Sequence, residues 1–311
     1  MRLATTNRTI PGASTTRARS GRRPRVQWKA YLYVLPAFVV FAVFLGIPVV
    51  QTAQYSLFEW NGIGPSTWVG LQNYVALFTD VKLRDSFLHA GVMIFFYSVV
   101  PVTLALVLTA VISRAAHLRG MSVFRTLLFL PQVVSSVVVA TTWISIYSPE
   151  GLANQVLRAI GLGSITRAWL GDFDTALPAI GLIGSWLGIG LCLVLFLSGV
   201  ANIPRELFEA ARMDGAGALR EFFGITLPAL RGQIAVALTL TVVAALKTFD
   251  LVYVTTRGGP GNSTSLPAFE AYNRAFTTGQ VGSAAAVAIG LSVLILVITA
   301  VIQKIQPEDV E

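Results

Sequence analysis

The sequence predicts an all-α, polytopic membrane protein with six transmembrane helices and a structured loop between helices four and five. Three observations carry that prediction. Charged residues make up only 12% of the 311 positions and apolar ones 54%. A soluble fold needs charge on its surface, so a chain this poor in charge hides most of its surface from water. Next, six runs each reach the roughly 20 mostly apolar residues that cross a hydrocarbon core. Finally, the basic residues gather on one side of those runs, as membrane topology demands.

The first element is a basic tail, residues 1–29, in which Arg2, Arg8, Arg17, Arg19, Arg22, Arg23, Arg25 and Lys29 stand without one acid. Such a tail could bind nucleic acid, but a bilayer-length run follows at once. We therefore read it as a cytoplasmic anchor with affinity for anionic lipid, and expect no nucleic-acid partner. The run from Ala30 to Phe58 is uncharged. It exceeds the roughly 7–15 apolar residues of a cleavable signal, so it is read as a retained span.

The six spans fall at Ala30–Ser56, Phe87–Ser113, Phe124–Tyr147, Ala176–Ala201, Gln233–Val254 and Ser283–Ile305. In lipid every backbone amide must be satisfied within the segment, which makes them helices. Pro36, Pro48, Pro101 and Pro131 fit membrane helices, where neighbours re-satisfy a kinked backbone. With the N-terminus inside, 16 of the 23 Lys and Arg residues lie on the inner side and 6 on the outer, with Lys247 within a span. Both termini are thus expected in the cytoplasm. The spanning domain covers 30–305, and 306–311 form a short cytoplasmic tail.

The outer loops carry interfacial aromatics, Trp60, Trp68 and Tyr74, and a short amphipathic stretch, Leu152–Ile160. Cys192 is the single cysteine, so it has no internal disulfide partner and reads as a small buried hydrophobe. His89 and His117 lack ligand spacing, and no nucleophile–base or paired-carboxylate pattern emerges. No metal, catalytic or cofactor site is expected in this chain. It holds no G-x-x-x-x-G-K-[ST] run to cradle nucleotide phosphates, so energy must come from a partner or an ion gradient.

Between spans four and five the inner loop, 202–231, becomes specific. Asn202 is placed to cap a short helix, Pro204–Asp214, with Pro204 in its first turn, and Gly215 ends it where a left-handed residue is wanted. A second helix is expected over Ala216–Phe223, after which Pro228 redirects the chain. Ala210 and Ala211 would offer a small-residue face, with Glu209, Arg212 and Asp214 at its rim.

Residues 209–228 read E-A-A-R-M-D-G-A-G-A-L-R-E-F-F-G-I-T-L-P. This resembles the signature loop of permease subunits in binding-protein-dependent ATP-binding-cassette importers. Glu209, Ala210, Ala211, Gly215, Ile225, Leu227 and Pro228 match that pattern without a gap. G-L-Q-N-Y at Gly70–Tyr74, F-R-T-L-L-F-L-P at Phe124–Pro131, T-F-D-L-V-Y-V-T-T-R-G-G-P at Thr248–Pro260 and the stretch Ala275–Ala286 resemble the carbohydrate-uptake branch. Within it the T-x-G-G-P segment is similar to the first of two non-identical permeases.

The resemblance implies a pore subunit that is not itself an enzyme. Its partners would be a second, non-identical permease, a cytoplasmic ATPase dimer that holds the ATP and Mg, an extracytoplasmic solute-binding protein, and membrane lipid. It also implies a bacterial cell-membrane location and import of a sugar or related polar solute. The loop would be the coupling helix, with Glu209, Ala210, Ala211, Asp214, Gly215, Ala216, Ile225, Leu227 and Pro228 passing on the motion of the ATPase. Lys247, Asp250 and Tyr253 are candidates for the solute path or its gate. Lys247 and Asp250, three apart on a helix, would share a face, either as a mutual salt bridge or as a polar lining. The alternatives to an importer permease are an ion-coupled secondary carrier and a membrane scaffold with no pore.

Overall fold

The computed structural model describes residues 28–114 and 121–305. The tail 306–311, residues 1–27 of the basic tail, and His117 lie outside the described residues. The chain divides into two compact units with the boundary between Pro48 and Val49. In the first, α1 (Trp28–Phe41) runs into a π turn, Ala42–Gly46. Its apolar side chains stand almost wholly exposed, Tyr33 at 87%. Helix α2 (Ile47–Tyr55) crosses the unit boundary and ends the first span, Tyr31–Tyr55.

The second unit begins with a two-stranded hairpin, β1 (Phe58–Glu59) antiparallel to β2 (Thr67–Trp68), followed by the short helix α3 (Gln72–Thr79). Helix α4 (Val81–Ile94), a π turn at Phe95–Val99 and α5 (Val100–Arg114) form one span, Val81–Ser113. It starts six residues before the sequence-based boundary at Phe87 because the charges of Lys82, Arg84 and Asp85 break the apolar window but not the helix. Asp80 caps it, accepting from the Lys82 and Leu83 amides at 2.9 and 3.4 Å.

The third span differs from expectation. In place of one helix over Phe124–Tyr147 there are two, α6 (Met121–Val133) and α7 (Ser136–Ile146), bent by 99°. Five unbroken segments, Tyr31–Tyr55, Val81–Ser113, Ala176–Ala201, Arg231–Thr255 and Val281–Lys304, are long and apolar enough to cross a membrane, and the bent pair makes a sixth.

After α8 (Leu152–Ala159), helix α9 (Ala176–Ala201) is the centre of the unit and packs on α4, α5 and α6. Ile180 and Ile183 join Met93, Val139 and Leu266 in one buried cluster. Cys192, Leu193 and Phe196 join Ala105, Ile112 and Leu230 in another. The chain continues through α10 (Arg205–Met213), α11 (Ala218–Glu221), a π turn at Phe222–Thr226, α12 (Leu227–Ala229), α13 (Arg231–Leu246), α14 (Asp250–Thr255), α15 (Pro267–Phe276) and α16 (Val281–Ile305).

The three π turns share a cause. Each ends two residues before a proline: Gly46 before Pro48, Val99 before Pro101, Thr226 before Pro228. Proline has no N–H to donate and its ring crowds the carbonyl four residues back. One extra residue in the preceding turn relieves that crowding, and the amides of Ile47, Val100 and Leu227 bond five residues back instead of four.

At the hairpin end, charges are paired internally. Glu270 on α15 is 1% exposed and meets Lys82 Nζ at 3.2 Å and Arg274 at 3.8 Å. Ser265 Oγ donates to the same carboxylate, and Arg274 also pairs with Asp80 and donates to Ser283 Oγ at 2.9 Å. Burial alone would push the Asp80 carboxyl up, but the hydrogen bond and charge of Arg274, with the Leu83 and Lys82 amides, hold it below its ordinary value.

Candidate functional site

Two places collect the residues singled out from the sequence. The first is the loop between α9 and α13. Asn202 ends α9, its amide bonding back to Gly199 and Val200, so it does not cap the next helix. Pro204 is the N-cap of α10, extended at ψ 134°, and Arg205 starts the helix. The residue before a helix takes a non-helical conformation, and proline supplies it here at no cost in donors.

At the other end Gly215 has φ +77°. Its amide bonds to Arg212 O at 3.0 Å and that of Ala216 to Ala211 O at 2.9 Å. This double return is a Schellman turn, and the left-handed residue in it belongs to glycine. The second helix is shorter than Ala216–Phe223. Gly217 is its N-cap, α11 spans Ala218–Glu221, and the π turn takes the rest because Pro228 lies ahead.

Helix α10 has no buried residue. Glu209, Ala210, Asp214 and Gly215 are exposed, and Ala211 and Ala216 are half-buried. The chain returns to the body through Ile225, Leu227 and Pro228, all half-buried, into Leu230, which is fully buried beside Phe196. The largest apolar surfaces on the loop are not the two alanines. Met213 is 88% exposed, Leu219 74%, Phe223 61% and Leu207 52%. Sequence reasoning passed over these four. The available signal was a large apolar residue beside charged neighbours in a loop, as with Met213 between Arg212 and Asp214. An ion pair braces the loop: Arg212 Nε donates to Glu221 Oε1 at 2.9 Å.

The second place is a double break. Helix α13 stops at Leu246, Lys247 is its C-cap, and α14 restarts at Asp250. Lys247 and Asp250 therefore do not share a helical face, and they form no mutual ion pair among the described residues. Asp250 instead accepts a hydrogen bond from Ser136 Oγ at 2.9 Å. Ser136 opens α7 and Asp250 opens α14, so the first residues of two half-helices meet. A carboxylate is favoured in a helix's first turn, where the dipole is positive, so Asp250 has no need of Lys247.

Beside this junction, Phe249 stacks on Tyr253 with centroids 5.2 Å apart, and Tyr272 lies 5.1 Å from Phe249 and 5.3 Å from Tyr253. Phe276 extends the row, 5.1 Å from Tyr272. Lys247, Asp250 and Tyr253 are exposed within this unit, Tyr253 at 37%. The opposite faces of α14 and α7 are buried through Leu251, Val252, Val139 and Ala140. The structure thus brings two of the three candidate path residues, Asp250 and Tyr253, into one polar and aromatic face. It adds Ser136, Phe249, Tyr272 and Phe276, which no local spacing pointed to.

The sequence pattern of a family described as "Binding-protein-dependent transport system inner membrane component" matches residues 18–308. The chain is 38% identical over 282 residues to the probable ABC transporter permease protein YurN of Bacillus subtilis, covering 89% of this chain and 94% of the relative. It is 33% identical over 319 residues to the diacetylchitobiose uptake system permease protein NgcF of Streptomyces coelicolor, covering 94% and 90%. Among solved structures, a chain of a bacterial ABC transporter that imports the acidic polysaccharide alginate shares the fold, with TM-score 0.75 over 91% of this chain and 96% of that one, at 23% identity.

Proposed function

The chain belongs to the family of binding-protein-dependent transport system inner membrane components, and from that premise we propose that it forms half of a pathway importing a sugar or related polar solute. It is the permease subunit of an ABC importer, a non-catalytic membrane component that works with a solute-binding protein and has its ATPase on a separate chain. That membership displaces the ion-coupled carrier and the poreless scaffold.

The finer reading has five parts. A second, non-identical permease completes the pore, and a cytoplasmic ATPase dimer carries ATP and Mg. The binding protein delivers solute from outside. The membrane is a bacterial cell membrane. Both termini and the α10 loop face the cytoplasm, as the distribution of basic residues argues.

The observation that carries the coupling role is the exposed apolar surface of Met213, Leu219, Phe223 and Leu207 on a loop without one buried residue in α10. Large apolar side chains in water around a rigid turn suit a partner's cleft, ringed by Glu209, Arg212 and Asp214. ATPase closure would press on α10 and, through Ile225, Leu227 and Pro228, on the root of α13.

The sugar reading is supported by the relative that takes up diacetylchitobiose. It is also supported by the face of Phe249, Tyr253, Tyr272 and Phe276 beside Asp250 and Ser136. Aromatic rings stack on the C–H faces of pyranoses, while a carboxylate and a hydroxyl bond their hydroxyls. Lys247 is assigned to the same path.

The first experiment is affinity purification of the tagged chain from native membranes, with mass spectrometry of what accompanies it. A soluble ATPase and a second permease are expected. Gly215→Asp should cut ATPase recovery or transport at least tenfold, since it strains the left-handed turn. Full assembly and full transport in that variant would sink the coupling assignment.

A further inference from the structure

We propose that Arg212 and Glu221 form the strut that turns the α10 loop from a hinged flap into a rigid lever. The inference rests on the reading of α10 as the coupling helix. Helix α10 buries none of its nine residues. Its N-terminus hangs from Pro204 and its C-terminus from the Gly215 turn. A helix held only at its two ends rotates about them when pushed and passes little of the push onward.

The ion pair removes that freedom. Arg212 lies in the last turn of α10 and Glu221 is the last residue of α11. Their 2.9 Å bond closes a triangle whose third corner is Gly215. The two ends of the bond are built differently. The Glu221 side chain is 6% exposed, whereas that of Arg212 is 62% exposed. The carboxylate is thus fixed in the protein body, and the guanidinium is the movable end that reaches in to it.

Glu221 also stands next to Phe222, where the π turn begins, and that turn leads to the buried Leu230 at the start of α13. Displacement of Arg212 is therefore delivered to the residue next to the π turn, through which the chain runs to Leu230 at the root of a membrane span. Arginine suits the task because Nε can hold the carboxylate while its two Nη groups stay free to meet a partner. Arg212 and Glu221 are positioning residues in this account and touch no solute.

The test uses the purified complex in proteoliposomes and reads solute moved per ATP hydrolysed, alongside ATPase co-purification. Met213→Cys supplies a cross-linking reporter, because Met213 is 88% exposed and the native Cys192 is buried. R212Q, E221Q and the double variant are compared. R212Q alters an exposed end and is the variant that folding failure does not confound.

Each single variant should lower the transport-to-ATP ratio at least fivefold, with co-purification and cross-linking intact, and the double variant should be no worse than either single. An unchanged ratio in R212Q with the cross-link intact overturns the strut alone. So do losses that multiply in the double variant, or loss of the ATPase in R212Q but not in E221Q. Absence of any Met213→Cys cross-link to the ATPase in the otherwise native complex overturns the strut and the coupling reading together.

Discussion

The two ends of this permease solve opposite problems. At the hairpin end the charged groups face one another: Glu270, 1% exposed, is held by Lys82, Arg274 and Ser265, and Arg274 reaches on to Asp80 and Ser283. That end can keep its shape with no partner. At the α10 end the Arg212–Glu221 ion pair braces two short helices whose large apolar side chains point into solvent. The same chain thus builds a charge-locked platform on one side and a lightly braced loop on the other. Rigidity comes from a buried charge network in the first case and from a glycine turn closed by the Arg212–Glu221 pair in the second.

Four substitutions sharpen that contrast, and thermal melting of the detergent-solubilised chain reads them all. Arg274→Met should have the largest effect, a loss of about 3 kcal/mol, because it strips a buried carboxylate of one partner. The value falls at the low end of that range since Lys82 remains beside Glu270. A melt unchanged within error would mean that the network is ornamental to stability.

Next come two glycines. A Cβ at Gly282 would fall on the Phe58 carbonyl oxygen, so Gly282→Ala must shift backbone and should cost about 2–3 kcal/mol. At Gly215 a Cβ meets open space, and Gly215→Ala should cost only about 1 kcal/mol for its positive φ. Equal costs at the two sites would erase the distinction between a packed end and a free one.

The smallest effect concerns pH. Asp80 titrates below its ordinary value of 3.8, so the stability it contributes is present above that value and is lost as pH falls through the lower, folded-state value. Asp80→Asn keeps the helix cap but removes the charge. The gap in melting temperature between wild type and Asp80→Asn should stay constant from neutral pH down to 3.8 and close below it. A gap that closes near neutrality would assign the effect to another group.

What was legible in the sequence follows from how local each signal is. The span Ala176–Ala201 was readable to the residue because its apolar run is continuous and bounded by Asp174 and Asn202. Gly215 was readable because a helix C-terminus followed by glycine is a local pattern, and its φ of +77° bears that out. The bend between α6 and α7 was not, since Pro131 and the small polar residues Ser135 and Ser136 are all tolerated inside a membrane helix, and the partner that Ser136 finds at the break, Asp250, lies 114 residues away. The expected Lys247–Asp250 helical face failed for a related reason: the helix ends between them, and what ends it is packing of α14 on α7. The motif loop was found, but its exposed Met213 and Leu219 were not, because exposure depends on where the body of the protein stops.

The π turn at Phe95–Val99 sets how the second half of this span is rotated. The buried positions are Leu83, Ser86, Ala90 and Met93 ahead of it, Tyr97 and Ser98 within it, and Pro101, Val102, Ala105, Thr109 and Ile112 after it. The two adjacent buried residues in the turn mark the place where the buried face changes phase between the two halves of the span. A one-residue deletion inside the turn would swing the whole of α5 by roughly 100° against its neighbours. The turn thus sets which face α5 presents to α9, and a single residue added or lost there would turn that face away from its partner.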